Sequence, residues 1–277
     1  EPLIRNLKYN QINLPVLNLI LASVLLLDRR PWIAGLLIAL GGHLKLYPLI
    51  LVLPLFATGQ HRAVIGAALG FIGVFALQTD FMAQPGPWIQ FAAFARDFPV
   101  SLEFINNSPL AVIANTRKLM DWGAPGGFTK ADPLVAAILG LGFFTWMALR
   151  FRRRETVARE VVAPRAGEKA AEDFRLFGHA MDAIALSLLI SPVSWDHHYL
   201  LAVPVVVWAA AVRGAQRPWA VGVAAFLVTG VPMFGVYLFS WHLLAGLIAI
   251  LILSSPRASA SGWAEGGRRS WLARGTD

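Results

Sequence analysis

The sequence contains no cysteine, which excludes a disulfide framework, a thiolate metal site and a cysteine nucleophile. Charge is also scarce. Charged residues make up 14% of the 277 residues and hydrophobic residues 57%, whereas about 25% of the residues of a typical soluble domain are charged. So little charge cannot cover the apolar residues with a water-exposed surface, and this composition argues against an ordinary soluble domain.

Long apolar runs take the place of the missing charge. Residues 14–27, 63–77 and 134–149 are almost wholly apolar, and the charged residues lie in short clusters between such runs. A membrane-spanning helix needs about 20 mostly apolar residues, and this segregation is typical of chains that cross a membrane repeatedly. The sequence therefore predicts an all-α, polytopic helical bundle in contact with membrane lipids.

Two apolar segments, residues 31–58 and 178–212, are too long for one crossing each, and both contain a polar break near the middle, at residues 41–48 and 191–198. Basic clusters between spans are expected to face the cytoplasm. All the basic clusters face the cytoplasm only if each long segment forms two short helices that enter and leave the membrane on the same side. Both breaks then face outward. The basic clusters are Arg29 with Arg30, His61 with Arg62, residues 151–175, Arg213 with Arg217, and residues 257–274.

This topology gives about nine crossings, several of them short broken helices. Residues 1–254 are expected to form a single transmembrane domain with an outer loop at 79–132 and an inner loop at 150–177. Within the outer loop, residues 88–98 are expected to lie on the membrane surface as an amphipathic helix. Residues 255–277 form a cytoplasmic basic tail. The inner clusters explain the net charge of +8, so no nucleic acid partner is predicted.

The second break contains Asp196, His197 and His198. Ionisable residues in an interrupted apolar segment are functional candidates, and a histidine beside a carboxylate can orient a hydroxyl group and accept its proton near neutral pH. Two other roles stay open, loop stabilisation and metal binding, but adjacent histidines diverge and no typical ligand spacing supports a metal. Trp195 is expected either to stack on a sugar ring or to pack against its neighbours.

The first break contains Lys45 and Tyr47, beside His43. A lysine ammonium is a compact cation suited to phosphate, and the alternative is a side chain that reaches to the lipid headgroups. The predicted topology puts Lys45 on the same face as the histidine pair. This shared face favours a role for Lys45 and Tyr47 in substrate binding.

Four more polar residues are substrate-binding candidates. Gln11 and Asn13 stand at the start of the first apolar run, and Asn107 and Arg117 lie in the outer loop. Arg117 can hold a phosphate through two parallel hydrogen bonds, whereas a solvated loop explains the two loop residues equally well.

The order of these motifs resembles glycosyltransferase family 87, the polyprenol-phosphate-mannose-dependent alpha-mannosyltransferases of the GT-C superfamily. The similarity extends over about residues 10–212. The residues that carry it are Asn10-Gln11-Ile12-Asn13, Lys45-Leu46-Tyr47-Pro48, Asn106-Asn107-Ser108 with Arg117, and Ser-Pro-Val-Ser-Trp-Asp-His-His at 191–198.

The resemblance implies a GT-C-like plasma-membrane enzyme that uses no cofactor. It would move mannose from a polyprenyl-phosphate donor to a hydroxyl of a lipid or glycan on the outer face, with inversion. His197 or His198 would lie at the reaction centre, and Lys45 and Arg117 would contact the donor phosphate. The superfamily's catalytic carboxylate follows its first helix, in a region upstream of Glu1. The chain is therefore expected to be an N-terminally truncated fragment without that carboxylate.

Two other classes of function compete with sugar transfer. In a lipid or solute transporter or flippase, the broken helices and their polar residues would form the substrate path. In a non-catalytic membrane scaffold, the histidine pair would only pack.

Overall fold

The computed structural model describes residues 11–80, 106–120, 129, 131–191, 194, 196–230 and 237–256, together with the isolated positions 3, 7, 86, 89, 90 and 93. The predicted surface helix at 88–98 and the basic tail from residue 257 lie outside the continuously described ranges. In the described part every regular element is a helix, which confirms the all-α prediction. The helices are α1 (Asn13–Leu26), α2 (Pro31–Leu44), α3 (Val52–Ala57), α4 (His61–Gln78), α5 (Pro109–Leu119), α6 (Ala131–Val157), α7 (Ala163–Ala166), α8 (Glu168–Ile190), α9 (Ala202–Arg213), α10 (Pro218–Thr229) and α11 (Tyr237–Leu253).

Two stretches of helix are long and apolar enough to cross a membrane. They are His61–Gln78, with 18 residues, and the continuous stretch Ala131–Ala166, with 36. The other apolar helices of the described ranges have 10–17 residues. Crossings by such short helices require tilting, local thinning of the bilayer or a position inside the protein.

Both long apolar segments are broken where the polar residues predicted a break. Helix α2 ends at Leu44, Lys45 is extended, and a 3₁₀ turn follows over Tyr47–Leu51. Helix α8 ends at Ile190, Ser191 is extended, and a second 3₁₀ turn covers Asp196–Leu201. Each break therefore joins two helices through a short non-helical stretch.

Helix α8 is the central helix of the bundle. Every residue from 178 to 189 is buried, and the hydrophobic core forms around this stretch with contributions from α1, α2, α9 and α11. Burial on all sides is typical of a helix at the centre of a bundle. The carboxyl end of α8 leads directly into the second break, so the core positions that break.

The stretch 150–177, predicted as an inner loop, differs from that prediction because it is helical almost throughout. Helix α6 continues to Val157, a π-helical turn and α7 follow, and α8 begins at Glu168. The helical path is interrupted at Gly167, whose φ of 90° is a conformation that favours glycine. The outer loop predicted at 79–132 likewise contains α5 and the start of α6.

Two charged residues of that stretch, Arg150 and Arg154, are buried in ion pairs with Asp182. Arg150 donates from Nε and Nη2 to the two carboxylate oxygens of Asp182, at 3.0 and 2.8 Å, and Arg154 Nη2 donates to Asp182 Oδ2 at 2.8 Å. Arg154 also donates to Nδ1 of His179 at 2.8 Å, and His179 Nε2 donates to Glu155 at 3.1 Å. These contacts fasten α6 to α8.

Arg150 extends the same network to the last described helix. It donates to the carbonyl oxygen of Leu251 and to the hydroxyl of Ser254, so it satisfies carbonyl and hydroxyl groups at the end of α11. Gly178 leaves the space that Arg154 occupies, because a Cβ atom at Gly178 would lie 2.2 Å from Arg154 Nε. The network joins α6, α8 and α11.

Glycine also permits a close contact between helices α2 and α4. A Cβ atom at Gly35 would lie 2.1 Å from the carbonyl oxygen of Ala63, and one at Gly66 would lie 2.8 Å from that of Trp32. Small residues that allow backbones to approach are the usual means of packing helices in a membrane. By contrast, Gly73 on α4 has no atom within 4 Å of an added Cβ.

Replacement of Asp182 by asparagine should destabilise the fold strongly. Asp182→Asn leaves two buried guanidinium groups without a counter-charge, and we expect the free energy of unfolding to fall by about 3 kcal/mol. The measurement is unfolding by sodium dodecyl sulfate titration in mixed micelles. Glu172→Gln is the matched control on the same helix, since the Glu172 side chain is 42% exposed. Equal losses in the two variants would contradict the role given to the network.

Alanine at two glycines should have opposite effects. Gly35→Ala forces a methyl group into the backbone of α4, and we expect a loss of about 2 kcal/mol of unfolding free energy. Gly73→Ala meets open space and should leave stability unchanged or raise it by up to about 1 kcal/mol. The same micelle titration measures both variants. A Gly35→Ala protein as stable as Gly73→Ala would show that α2 and α4 are not closely packed.

Candidate functional site

The two breaks meet at Lys45 and His198. Lys45 Nζ lies 3.2 Å from His198 Nε2, although the residues are 153 positions apart. An ammonium group has donors only, so Lys45 donates and the His198 Nε2 accepts. His198 is therefore neutral in this contact and carries its proton on Nδ1. Both side chains are half-buried.

A second connection joins the same two breaks to the start of α1. The Tyr47 hydroxyl donates to Asn13 Oδ1 at 3.1 Å, and Asn13 Nδ2 donates to the backbone carbonyl oxygen of His197 at 3.3 Å. Asn13 is fully buried. Its side-chain amide therefore holds the first break and the second break at a fixed separation.

The two histidines occupy different environments. His197 is 2% exposed, whereas His198 is half-buried. Their rings meet edge to face, with centroids 4.6 Å apart and an interplanar angle of 64°. The His198 ring thus contacts the Lys45 cation, whereas the neighbouring His197 side chain is buried.

The 106–108 stretch packs directly on the second break. The Asn107 N–H donates to the carbonyl oxygen of Ser194 at 2.7 Å, and the Ser194 N–H donates to Asn106 Oδ1 at 3.0 Å. Both asparagines are buried. The substrate-binding candidate Asn107 is therefore placed beside the break, and its backbone N–H bonds to the break.

Arg117 has a partner in α6. Its Nη2 lies 2.9 Å from Asp132 Oδ2, and the Asp132 carboxylate also accepts from the N–H and the hydroxyl of Thr129 at 2.7 and 2.9 Å. The ion pair places the Arg117 guanidinium at the corner between α5 and α6. Sequence reasoning did not anticipate this partner.

The other predicted site residues are described only in part. Gln11 is half-buried just before α1. The backbone of Asp196 begins the second 3₁₀ turn, its side chain is outside the described atoms, and Trp195 lies outside the described residues. Within the described ranges, no group of three or more histidine, aspartate or glutamate side chains is arranged to hold a metal ion.

Together these contacts form a half-buried site around the positive charge of Lys45. The Lys45 ammonium has three N–H donors, and in the described part of the chain it donates to His198 alone. The remaining donors are suited to an anion, and the neighbouring imidazoles are suited to proton transfer or hydrogen bonding with a hydroxyl group.

Comparison with known protein families gives a match over the first part of the chain. A family model described as "Glycosyltransferase family 87" matches residues 1–167. This range includes α1, the first break with Lys45 and Tyr47, and the 106–108 stretch with Arg117.

Curated proteins from two mycobacterial species are similar to the chain. A polyprenol-phosphate-mannose-dependent alpha-(1-2)-phosphatidylinositol pentamannoside mannosyltransferase of Mycobacterium tuberculosis (strain CDC 1551 / Oshkosh) is 28% identical over 236 residues, which are 79% of this chain and 45% of that protein. A protein of the same description from Mycolicibacterium smegmatis (strain ATCC 700084 / mc(2)155) is 26% identical over 84% of this chain and 52% of its own length.

A third relative, from the same Mycolicibacterium smegmatis strain, is a polyprenol-phosphate-mannose-dependent alpha-(1-2)-phosphatidylinositol mannoside mannosyltransferase. It is 26% identical over 78% of this chain and 46% of its own length. The chain thus spans about half the length of the curated relatives it matches. No solved structure matches the chain.

Proposed function

Because the chain belongs to glycosyltransferase family 87, we propose that it is part of a membrane glycosyltransferase that moves mannose from a polyprenyl-phosphate donor to a hydroxyl of a glycosylated lipid. The three relatives are named as mannosyltransferases that depend on polyprenol-phosphate-mannose. Their names do not favour the transporter or flippase alternative.

The contact between Lys45 and His198 carries the proposal. In the proposed reaction the acceptor oxygen forms a bond to the anomeric carbon of the sugar, with inversion. The bond from that carbon to the phosphate oxygen breaks, and polyprenyl phosphate leaves. Negative charge then develops on the phosphate, and a positive group fixed nearby stabilises the transition state. Lys45 is the cation that the two breaks hold in place.

The structure suggests different roles for the two histidines. His198 accepts a hydrogen bond from Lys45, so we propose that it orients the ammonium toward the donor phosphate. We retain His197, with the neighbouring Asp196, as the candidates that receive the proton of the acceptor hydroxyl. Asn13 and Tyr47 position this pair of residues through the His197 carbonyl.

The remaining polar candidates keep supporting roles in the proposal. Asn107 lies against the second break, and Gln11 precedes α1, so both are proposed to border the sugar site with Trp195. A donor-phosphate role for Arg117 would require its guanidinium to bind phosphate while it is paired with Asp132.

We further propose that both breaks face the outer side of the plasma membrane. Charge placement supports this orientation, since Arg62 and Arg217 flank the ends of the broken segments opposite the breaks. The proposed topology retains about nine crossings, a single transmembrane domain and a cytoplasmic tail. A donor and an acceptor that are both lipid-linked would reach such a site from the bilayer.

Variants of Lys45 and His198 test the proposed roles. Lys45→Met removes the cation and His198→Ala removes its acceptor, and we expect each to lower the rate of mannose transfer about 100-fold. His198→Gln keeps an acceptor oxygen near the position of Nε2 and should lose no more than about tenfold in transfer rate. The measurement is transfer of radiolabelled mannose from polyprenyl-phosphate-mannose in membranes carrying a complete protein that contains this chain.

The glutamine variant separates two roles for His198. Glutamine can accept a hydrogen bond but cannot act as a base. Equal losses of transfer rate in His198→Gln and His198→Ala, together with full activity in Lys45→Met, would therefore show that His198 acts as the base and not as the partner of Lys45. Thr58→Val, which removes a hydroxyl bonded to the Pro54 carbonyl of α3, is the control for a lost hydrogen bond away from the site.

Single cysteines test the orientation, because the chain has no cysteine of its own. Leu46→Cys and Ser191→Cys probe the two breaks, whereas His61→Cys and Gln216→Cys probe the opposite ends. We expect a membrane-impermeant maleimide to label the first two variants in intact cells and the last two only after permeabilisation. If Leu46→Cys and Ser191→Cys were labelled from opposite sides, the shared outer site would not exist.

A further inference from the structure

We infer that Asn106 is a positioning residue, whose amide oxygen fixes the backbone of the second break so that His197 and His198 meet Asn13 and Lys45. Its consequence for catalysis rests on the proposed function, but the geometric part stands on the contacts alone. The Asn-Asn-Ser stretch at 106–108 then supports the site through the backbone of the second break.

The main chain of Ser194 is bonded on both sides by this stretch. Asn106 Oδ1 accepts the Ser194 N–H at 3.0 Å, and the Ser194 carbonyl oxygen accepts the Asn107 N–H at 2.7 Å. Ser194 is fully buried. Since an unpaired buried backbone group is costly, these two bonds hold the Ser194 main chain in place within the break.

Asn106 is itself held in place. The same Oδ1 atom accepts the Ser108 N–H at 3.0 Å, a local turn that asparagine side chains commonly form. The Ser108 hydroxyl in turn accepts the Ala111 N–H at 3.2 Å and caps the start of α5. One amide oxygen therefore joins the break to a helix terminus.

Ser194 is also bonded to the helix that precedes the break. The Ser194 hydroxyl donates to the carbonyl oxygen of Leu188, at 2.7 Å, near the end of α8. Ser194 is thus attached to both α8 and the Asn106 turn, and the 3₁₀ turn with His197 begins two residues later. A shift of Ser194 would move both histidines relative to Lys45, and misplacement of catalytic groups by about 1 Å can cost about 100-fold in rate.

The geometric part is tested with Ser191→Cys as a reporter in detergent-solubilised full chain. Ser191 is the half-buried residue at the end of α8. Asn106→Leu has the same branching and number of side-chain heavy atoms but no acceptor, and we expect it to raise the rate of maleimide labelling of this reporter about tenfold. Asn106→Asp keeps the acceptor oxygen and should stay within about threefold of the parent rate.

Ser23→Ala is the matched control. It removes a buried hydrogen bond of 2.9 Å from Ser23 to the Ala34 carbonyl oxygen, between α1 and α2, and should leave the labelling rate of the reporter unchanged. If Asn106→Leu labels at the parent rate, or if Ser23→Ala labels as fast as Asn106→Leu, the positioning role of Asn106 is overturned. If Asn106→Leu does not fold, Asn106→Ser replaces it in the test. Serine has a shorter side chain with an acceptor oxygen, so we expect a labelling rate between those of the parent and Asn106→Leu. A labelling rate equal to that of the parent would overturn the positioning role as well.

The catalytic part is read from kcat and KM for mannose transfer. Asn106→Leu should lower kcat about 30-fold with a smaller change in KM for the donor, Asn106→Asp should restore most of kcat, and Ser23→Ala should keep it. An equal loss of kcat in Ser23→Ala would reduce Asn106 to a general stabilising role. If a complete protein that contains this chain shows no transfer while labelling responds as expected, the proposed function fails and the positioning of the break stands.

Discussion

The structure depends on one constraint, that the polar main-chain groups of a broken helix must find partners when apolar surroundings exclude water. The second break solves this problem with groups from elsewhere in the chain. Asn106 and Asn107 bond to Ser194 in the second break, and Asn13 bonds to the carbonyl oxygen of His197. Because the partners of one break come from distant segments, satisfying the backbone also brings Lys45 and His198 together.

Buried charge follows the same logic in the helices away from the site. Arg150, Arg154 and Asp182 satisfy one another and the end of α11, and this pairing lets α6 bury two arginines against α8. A local sequence pattern cannot distinguish such a helix from a solvated loop, since the partners differ by 32 and 28 positions from Asp182. The packing of residues 150–157 against α8 therefore depends on tertiary contacts that a local pattern does not reveal.

Sequence reasoning succeeded where the physics is local. Helix type and the broken segments follow from the length of an apolar run and the residues that interrupt it. The neighbourhood of Lys45 and His198, which are 153 positions apart, is expected only from the predicted shared face of the two breaks. Sequence reasoning did not find the Asp132 partner of Arg117 or the double acceptance by Asn106, because hydrogen-bond partners depend on side-chain geometry across elements. The residues Asn106-Asn107-Ser108 before Pro109 are typical of a helix cap. This local pattern does not reveal that the second break packs against them.

The protonation state of the site bears on how it would favour the leaving group. With His198 neutral and Lys45 charged, the described pair carries one positive charge. In the proposed reaction the donor phosphate is a diester with one negative charge, and it approaches a second as the bond to the sugar breaks. A fixed cation interacts more strongly with that developing dianion than with the donor, which is the condition for accelerating a reaction and not merely binding its substrate. A cationic His198 would repel Lys45 and loosen this arrangement, so the neutral histidine is what allows the lysine to stay in place.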